Sequence, residues 1–333
     1  MFRKTAASLA AVASLTLSAS PVLAQAQSDY PNKPVRVLLG FAAGGPTDVV
    51  GRMYTAKLSE YMGQQVFIEN RAGAAGIIAT EAAAKAKPDG YTLLLGVIST
   101  HGLAPALRQG KLPYDAVKDF TPIALAVNVP MIIVVNPKLI QAKDLKSLIA
   151  ELKANGGHKY EFGSSGNGGI SHMCMELFKQ RTGFKDLVHV PYNGTGPAFN
   201  DLFAGRLSMI CEGVGGAAGH VRNGSVQGIG TATLKRAKAL PDLPTISEGG
   251  LAGFEAYTWN MFFAQAATPR PIVDRVNREI NRAAKDPTLR PKLDSLGVEV
   301  VDDSTPDSLK NFVATEVERW TAVAKAADLK LED

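Results

Sequence analysis

The chain has 333 residues, 36 of them basic and 31 acidic, with 7% aromatics and two cysteines. Charges so nearly balanced and so scattered, with aromatics that do not interleave with Lys and Arg, exclude the basic stacking platform that nucleic acid needs. The length exceeds the usual single domain of about 100 to 200 residues, so two lobes are expected.

The first segment in chain order belongs to export. Arg3 and Lys4, an apolar run over 6–17 and small residues around Ala24 and Ala26 form the three parts of a secretory signal peptide, expected to end near residue 26. Arg3 and Lys4 are the only charges in that segment, so without it 34 basic residues face 31 acidic ones. No later run reaches the roughly 20 apolar residues that span a bilayer. No cysteine near the cleavage point marks a lipid anchor.

After a Pro-rich stretch over 30–34, the patterning predicts a strand at 35–39, a helix over 47–62, a strand at 65–68, a helix over 75–87 and a strand at 91–97. This βαβαβ rhythm is that of a mostly parallel α/β sheet covered by helices. Beyond Pro122 the pattern changes to a strand at 132–135 and a helix over 142–154. Strands at 187–190, 207–211 and 226–231 and a helix over 197–204 follow. The apolar segment 257–264 predicts a strand returning to the first lobe, where helices over 272–284 and 306–327 need a sheet to cover. Lobe 1 is expected to hold residues 27–127 plus 255–333 and lobe 2 residues 128–254, with a hinge at the two crossings.

Two loops carry chemistry. Phe41-Ala42-Ala43-Gly44-Gly45-Pro46-Thr47-Asp48 lies between a strand and a helix. Its glycines let a ligand approach the backbone, Pro46 suits the first helical position, and the unpaired amides point outward with the positive end of the dipole. Gly163-Ser164-Ser165-Gly166-Asn167-Gly168-Gly169 repeats the arrangement before a helix holding Met173, Leu177 and Phe178. Its hydroxyls and amide can bind a carboxylate without carrying charge. Each loop alone would suit an ordinary strand-to-helix turn; together, beyond the carboxyl ends of strands, they predict a clamp for a small carboxylate.

The enzyme patterns fail. Gly213 to Ala218 matches GxGxxA after a strand, yet the next strand ends without the acidic residue that holds a ribose. Gly163-Ser164-Ser165-Gly166 lacks the last glycine of a nucleophile elbow, since position 167 is Asn, and neither loop is followed by a Walker lysine. The five histidines, His101, His158, His172, His189 and His220, have no metal-ligand spacing, so no metal and no cofactor is expected. Several residues keep two readings. Asp48 is a first-turn carboxylate or a ligand acceptor, and Glu212 a cleft group or a solvated one. His101 and His172 lie near the ligand or serve the structure; Tyr192 covers the ligand or packs a turn. Cys174 and Cys211 are either a disulfide or two buried thiols.

An ordered series of motifs spans nearly the whole mature length: Tyr30-Pro31-Asn32-Lys33-Pro34-Val35-Arg36, Gly44-Gly45-Pro46-Thr47-Asp48, Glu69-Asn70-Arg71-Ala72-Gly73-Ala74-Ala75-Gly76, Lys87-Pro88-Asp89-Gly90-Tyr91-Thr92, Val190-Pro191-Tyr192 and Ala239-Leu240-Pro241-Asp242-Leu243-Pro244-Thr245. In these the chain resembles the Bug-type extracytoplasmic receptors of tripartite tricarboxylate transporters. The resemblance implies a two-lobed type II periplasmic binding protein fold, with a hinge and an interlobe ligand cleft. It further implies a periplasmic monomer that closes on a small organic acid and delivers it to a membrane permease pair. The expected ligand contacts are Phe41, Ala43, Gly44, Gly45, Thr47, Asp48, Ser99, His101, Ser164, Ser165, Gly166, Asn167, Tyr192, Thr195 and Glu212. One departure is Cys211-Glu212, where the family tends to have Phe-Asp. The competing readings are a sensory receptor for a membrane signalling partner and a secreted hydrolase using Ser165 and His172, for which no third residue is placed to orient the base.

Overall fold

The computed structural model describes residues 30–108, 110–192 and 194–329, so the expected signal peptide at 1–26 lies outside the described residues. In chain order, β1 (Val35–Leu39), α1 (Pro46–Met62), β2 (Val66–Asn70), α2 (Ile77–Ala84) and β3 (Thr92–Val97) form the expected βαβαβ unit. β1 pairs in parallel with β2 and β3 and is buried at every residue but Arg36, as a strand covered on both faces must be. A π turn at Ser99–Leu103 and a short α3 (Ala104–Leu107) follow, neither signalled by periodicity. A 3₁₀ turn at Ala74–Gly76 precedes α2, and its Gly76, at φ 96°, lies too close to Gly40 for Gly40 to carry a side chain.

The chain then enters β4 (Phe120–Val135), a 16-residue strand of which the patterning showed only the last part. Pro122 and Pro130 interrupt the sequence signal without ending the strand. The register on its neighbour shifts beside Pro122, where a missing N–H is absorbed by a bulge. α4 (Leu145–Asn155), β5 (Glu161–Ser164), α5 (Ile170–Thr182), β6 (Val188–Pro191), α6 (Thr195–Ala204), β7 (Met209–Gly213), α7 (Val214–Arg222) and β8 (Gln227–Thr231) come next. The chain closes with β9 (Tyr257–Gln265), α8 (Arg270–Ala284), α9 (Arg290–Ser295), β10 (Glu299–Val300) and α10 (Phe312–Ala326). The strand order is β2-β1-β3-β9-β4-β7-β5-β6, with β8 and β10 also on β4.

β4 joins the two halves of the molecule. Up to Pro130 it pairs with β9, and from Met131 it pairs with β7 and β8. β5, β6 and β7 run parallel, so their carboxyl ends share one edge. α8 buries Ile272, Val273, Val276 and Ile280 at helical spacing against the first half, as the sequence required. One apolar cluster runs through both halves and includes Ile98, Trp259 and Phe263 from the first and Phe162, Met173 and Phe178 from the second. Among the described residues, no helix is long and apolar enough to cross a membrane.

Candidate functional site

The two glycine loops are the same turn built twice. In each, a glycine with positive φ (Gly44 at 82°, Gly168 at 72°) precedes a glycine N-cap in extended conformation (Gly45 at φ −71°, Gly169 at φ −74°). Gly45 N–H donates to Ala42 O and Gly169 N–H to Gly166 O, and no side chain caps either α1 or α5. The left-handed step needs glycine, and the bare N-cap leaves first-turn amides available to an anion.

Each turn is held by the side chain four residues after its left-handed glycine. Gly44 N–H donates to Asp48 Oδ2 (2.9 Å), and Gly168 N–H to His172 Nδ1 (3.1 Å). Asp48 also accepts from Arg52 Nε (2.8 Å) and from Asn70 Nδ2 (2.8 Å), while Asn70 reaches Phe41 O. Burial opposes ionisation of Asp48, but the bonds from Arg52, Gly44 and Asn70 outweigh it and hold its carboxyl below the usual aspartate range. In the second loop Ser165 N–H donates to Ser171 Oγ (2.8 Å), and the two hydroxyls lie 2.9 Å apart. Gly166 N–H donates to Ser164 Oγ, which lies 2.7 Å from His189 Nε2.

Between the halves lies a cleft of about 660 Å³. Of the expected ligand contacts, Phe41, Thr47, Ser99, Ser165, Gly166 and Asn167 line it, three from each side. The Ser99 hydroxyl is buried there without a hydrogen-bond partner. Ala43 and Gly44 are exposed on the first loop, with Gly45 half-buried beside them. Asp48 and Ser164 are buried, their polar atoms committed to the loops themselves.

One expectation is corrected: His101 is fully buried away from the cleft. Its ring stacks on Phe263 at 4.2 Å, its Nδ1 meets Thr100 Oγ1 at 2.9 Å, and burial pushes its pKa down to about 3, so it is a neutral core residue. Sequence reasoning took its place just after β3 as nearness to the cleft, but the π turn sends the ring inward. Tyr192 spends its hydroxyl on Asp201 Oδ2 (2.8 Å), which anchors the β6–α6 turn. Missed residues of the cleft include Arg108, Thr258 and Ala75. Arg108 adds a cation to a lining expected to be uncharged; it follows α3, an element without a periodic signal.

Glu212 lies within β7, opposite Ile132 of β4, and does not follow the strand as expected. Its Oε2 is buried without a partner. Burial raises the pKa of the carboxyl, against the opposing hydrogen bonds of Gly213 N–H and the Thr195 hydroxyl. The neighbouring Cys211 is bonded to Cys174 of α5, so a disulfide ties the helix of the second loop to the strand that carries Glu212. The hydrolase pairing finds no support in this geometry, since Ser165 Oγ meets Ser171 and His172 Nδ1 takes a backbone N–H. Among the described residues, no group of three potential metal-ligating side chains is assembled.

Residues 50–329 match the model of the tripartite tricarboxylate transporter family receptor. Protein BugT of Bordetella pertussis is 33% identical over 325 residues, covering 97% of this chain and 98% of its own length. An R. palustris protein solved with adipate is 31% identical with a TM-score of 0.78, covering 90% of this chain and 99% of that one. MatC from Rhodopseudomonas palustris, solved with bound malate, is 35% identical with a TM-score of 0.75, covering 88% and 99%. On these likenesses the chain belongs to the tripartite tricarboxylate transporter receptor family, as a Bug-type, two-lobed solute-binding receptor and not an enzyme.

Proposed function

We propose that the protein captures a small organic acid in the periplasm and presents it to the membrane permease subunits of a tripartite tricarboxylate transporter. The observation that carries this reading is the pair of uncapped helix N-termini, α1 and α5, whose loops meet across one cleft. A carboxylate there accepts from main-chain amides at the positive ends of two helix dipoles. Thr47 and Ser99 from one side and Ser165 and Asn167 from the other supply further donors, and Arg108 supplies attraction at longer range. The adipate and malate carried by the two R. palustris relatives support an acid as ligand.

The lobes are residues 27–127 plus 255–333 and residues 128–254, and they close about the crossing where Asn128, Val129 and Pro130 of β4 face Trp259, Thr258 and Tyr257 of β9. Closure expels water, so each amide contact counts for more than it would in solvent. Export through a signal peptide over residues 1–26 and a monomeric state complete the reading. A thermal-shift screen of the mature chain against mono-, di- and tricarboxylates tests it. Ligand at 100 times its dissociation constant is expected to add about 2.7 kcal/mol. No shift with any acid, in protein freed of ligand by unfolding and refolding, contradicts it.

A further inference from the structure

Behind the second loop His172 and His189 are stacked face to face, with ring centroids 3.8 Å apart and planes 8° from parallel. Phe162 of β5 stacks beside them, 4.9 Å from His189. Both rings reach into the loop: His172 Nδ1 accepts from Gly168 N–H, and His189 Nε2 meets the Ser164 hydroxyl that accepts from Gly166 N–H. A backbone N–H can only donate, so His172 Nδ1 is unprotonated and its proton sits on Nε2, 3.6 Å from Glu176 Oε1. The charged groups around the pair are Glu176 and Lys179, joined at 2.9 Å on α5. The opposite wall is apolar, made by Leu107, Ala327 and Leu329, with Asp328 exposed between the last two.

We infer that His172 and His189 are positioning residues for the second loop, and that the grip on the ligand loosens when this stacked pair takes up a proton. A proton on His172 Nδ1 removes the acceptor of Gly168 N–H and sets two donors against each other. The Ser164 hydroxyl donates to Gly166 O, so His189 Nε2 is the donor to Ser164, and a further proton on His189 places a charge against the neighbouring ring. The first loop has no such sensitivity, because Asp48 does the same work as an anion fixed by Arg52 and Asn70. The inference rests on the carboxylate reading of the cleft only for its consequence in binding; the state of the loop can be measured without a ligand.

The experiment is amide hydrogen exchange and histidine-ring NMR on the mature full chain without ligand, from about pH 8 down to about pH 4, the value to which burial and the neighbouring His172 push His189. In the native sequence, protection of Gly168 N–H is expected to fall roughly tenfold as the rings take protons, the loss of one hydrogen bond. His172→Asn keeps an acceptor oxygen near the Nδ1 position and cannot titrate, so protection should persist and lose its pH dependence. His172→Leu should lose protection at every pH, a result that a role in packing alone would not give. Malate serves as the binding probe. Its dissociation constant should rise about tenfold towards pH 4 in the native protein beyond any rise in His172→Asn, the acid's own protonation being common to both. Protection that stays constant in the native protein, or falls equally in His172→Asn, overturns the inference. Failure of malate and adipate to bind at any pH counts against the carboxylate reading, and the exchange data then decide the histidine roles separately.

Discussion

Asp48 and His172 hold equivalent positions in the two turns, each accepting the N–H of a left-handed glycine four residues earlier, at 2.9 Å from Gly44 and 3.1 Å from Gly168. The two turns thus share one backbone device and differ in what locks it. On the first side the lock is a carboxylate with three donors. On the second it is an imidazole stacked on another.

Replacing Asp48 by Ala leaves Gly44 N–H, Arg52 and Asn70 without their shared acceptor. A loss of about 2 to 4 kcal/mol is expected in urea denaturation, because a buried charge-assisted network is broken and not exchanged for packing. Its folded-state pKa is depressed, so the stability from Asp48 is fully present above the ordinary aspartate range. It is lost only as pH falls through the lower folded value. A native acid-denaturation profile from which this contribution is missing would argue against the lock.

Gly44→Ala meets no steric obstacle, since nothing lies within 4 Å of the added carbon, and its cost is conformational at φ +82°. A destabilisation of about 1 to 2 kcal/mol is expected. Gly169→Val instead pushes against Ser165 Oγ, 3.2 Å from the new Cβ, and intrudes on the turn where the anion is proposed to sit. Calorimetry should show the first variant binding with modest weakening and the second not binding. The reverse order would place the ligand elsewhere.

The raised pKa of Glu212 means that its folded form holds a proton more tightly than the unfolded chain does. Stability from this group is therefore present at low pH and lost as pH rises from the unfolded towards the folded pKa. Glu212→Gln removes the charge while keeping the shape, and should raise stability at neutral pH by about 1 kcal/mol with little change near pH 4. Melting curves at the two pH values check this; equal shifts at both would mean that the carboxyl is not perturbed.

The Cys174–Cys211 bond closes a segment spanning 37 positions, for which chain-entropy arguments give a stabilisation of about 3 to 4 kcal/mol. Reduction, or the double replacement by Ser, should lower the melting temperature and reduce protection in α5 and β7 ahead of β1 and β3. Uniform loss across both lobes would contradict a local role.

The sequence was most informative where one force decided the outcome. β1 and α8 were readable because their apolar spacing matches a buried strand and a one-sided helix. The two loops were readable because strand, glycines and helix follow one another in both. β4 was half hidden by Pro122 and Pro130, which mark bulge and crossing where a local rule would end the strand. His101 and Arg108 sit in or beside the π turn and α3, elements too short for any period, so their directions are set by tertiary packing alone. The disulfide needed a distance that spacing cannot supply, and the likeness of Asp48 to His172 lies in hydrogen bonds that no residue-type pattern records.

The central claim is that a carboxylate is held between the N-termini of α1 and α5. Titrating the mature protein calorimetrically with malate and with its diamide, which keeps the shape and removes both charges, tests this directly. The account predicts saturable binding of malate, or of the acid that the thermal-shift screen selects, at least about a hundredfold tighter than the matching amide, consistent with charge-assisted bonds to helix N-termini. An amide that binds as tightly as its acid, or an acid whose affinity survives Gly169→Val, would contradict it.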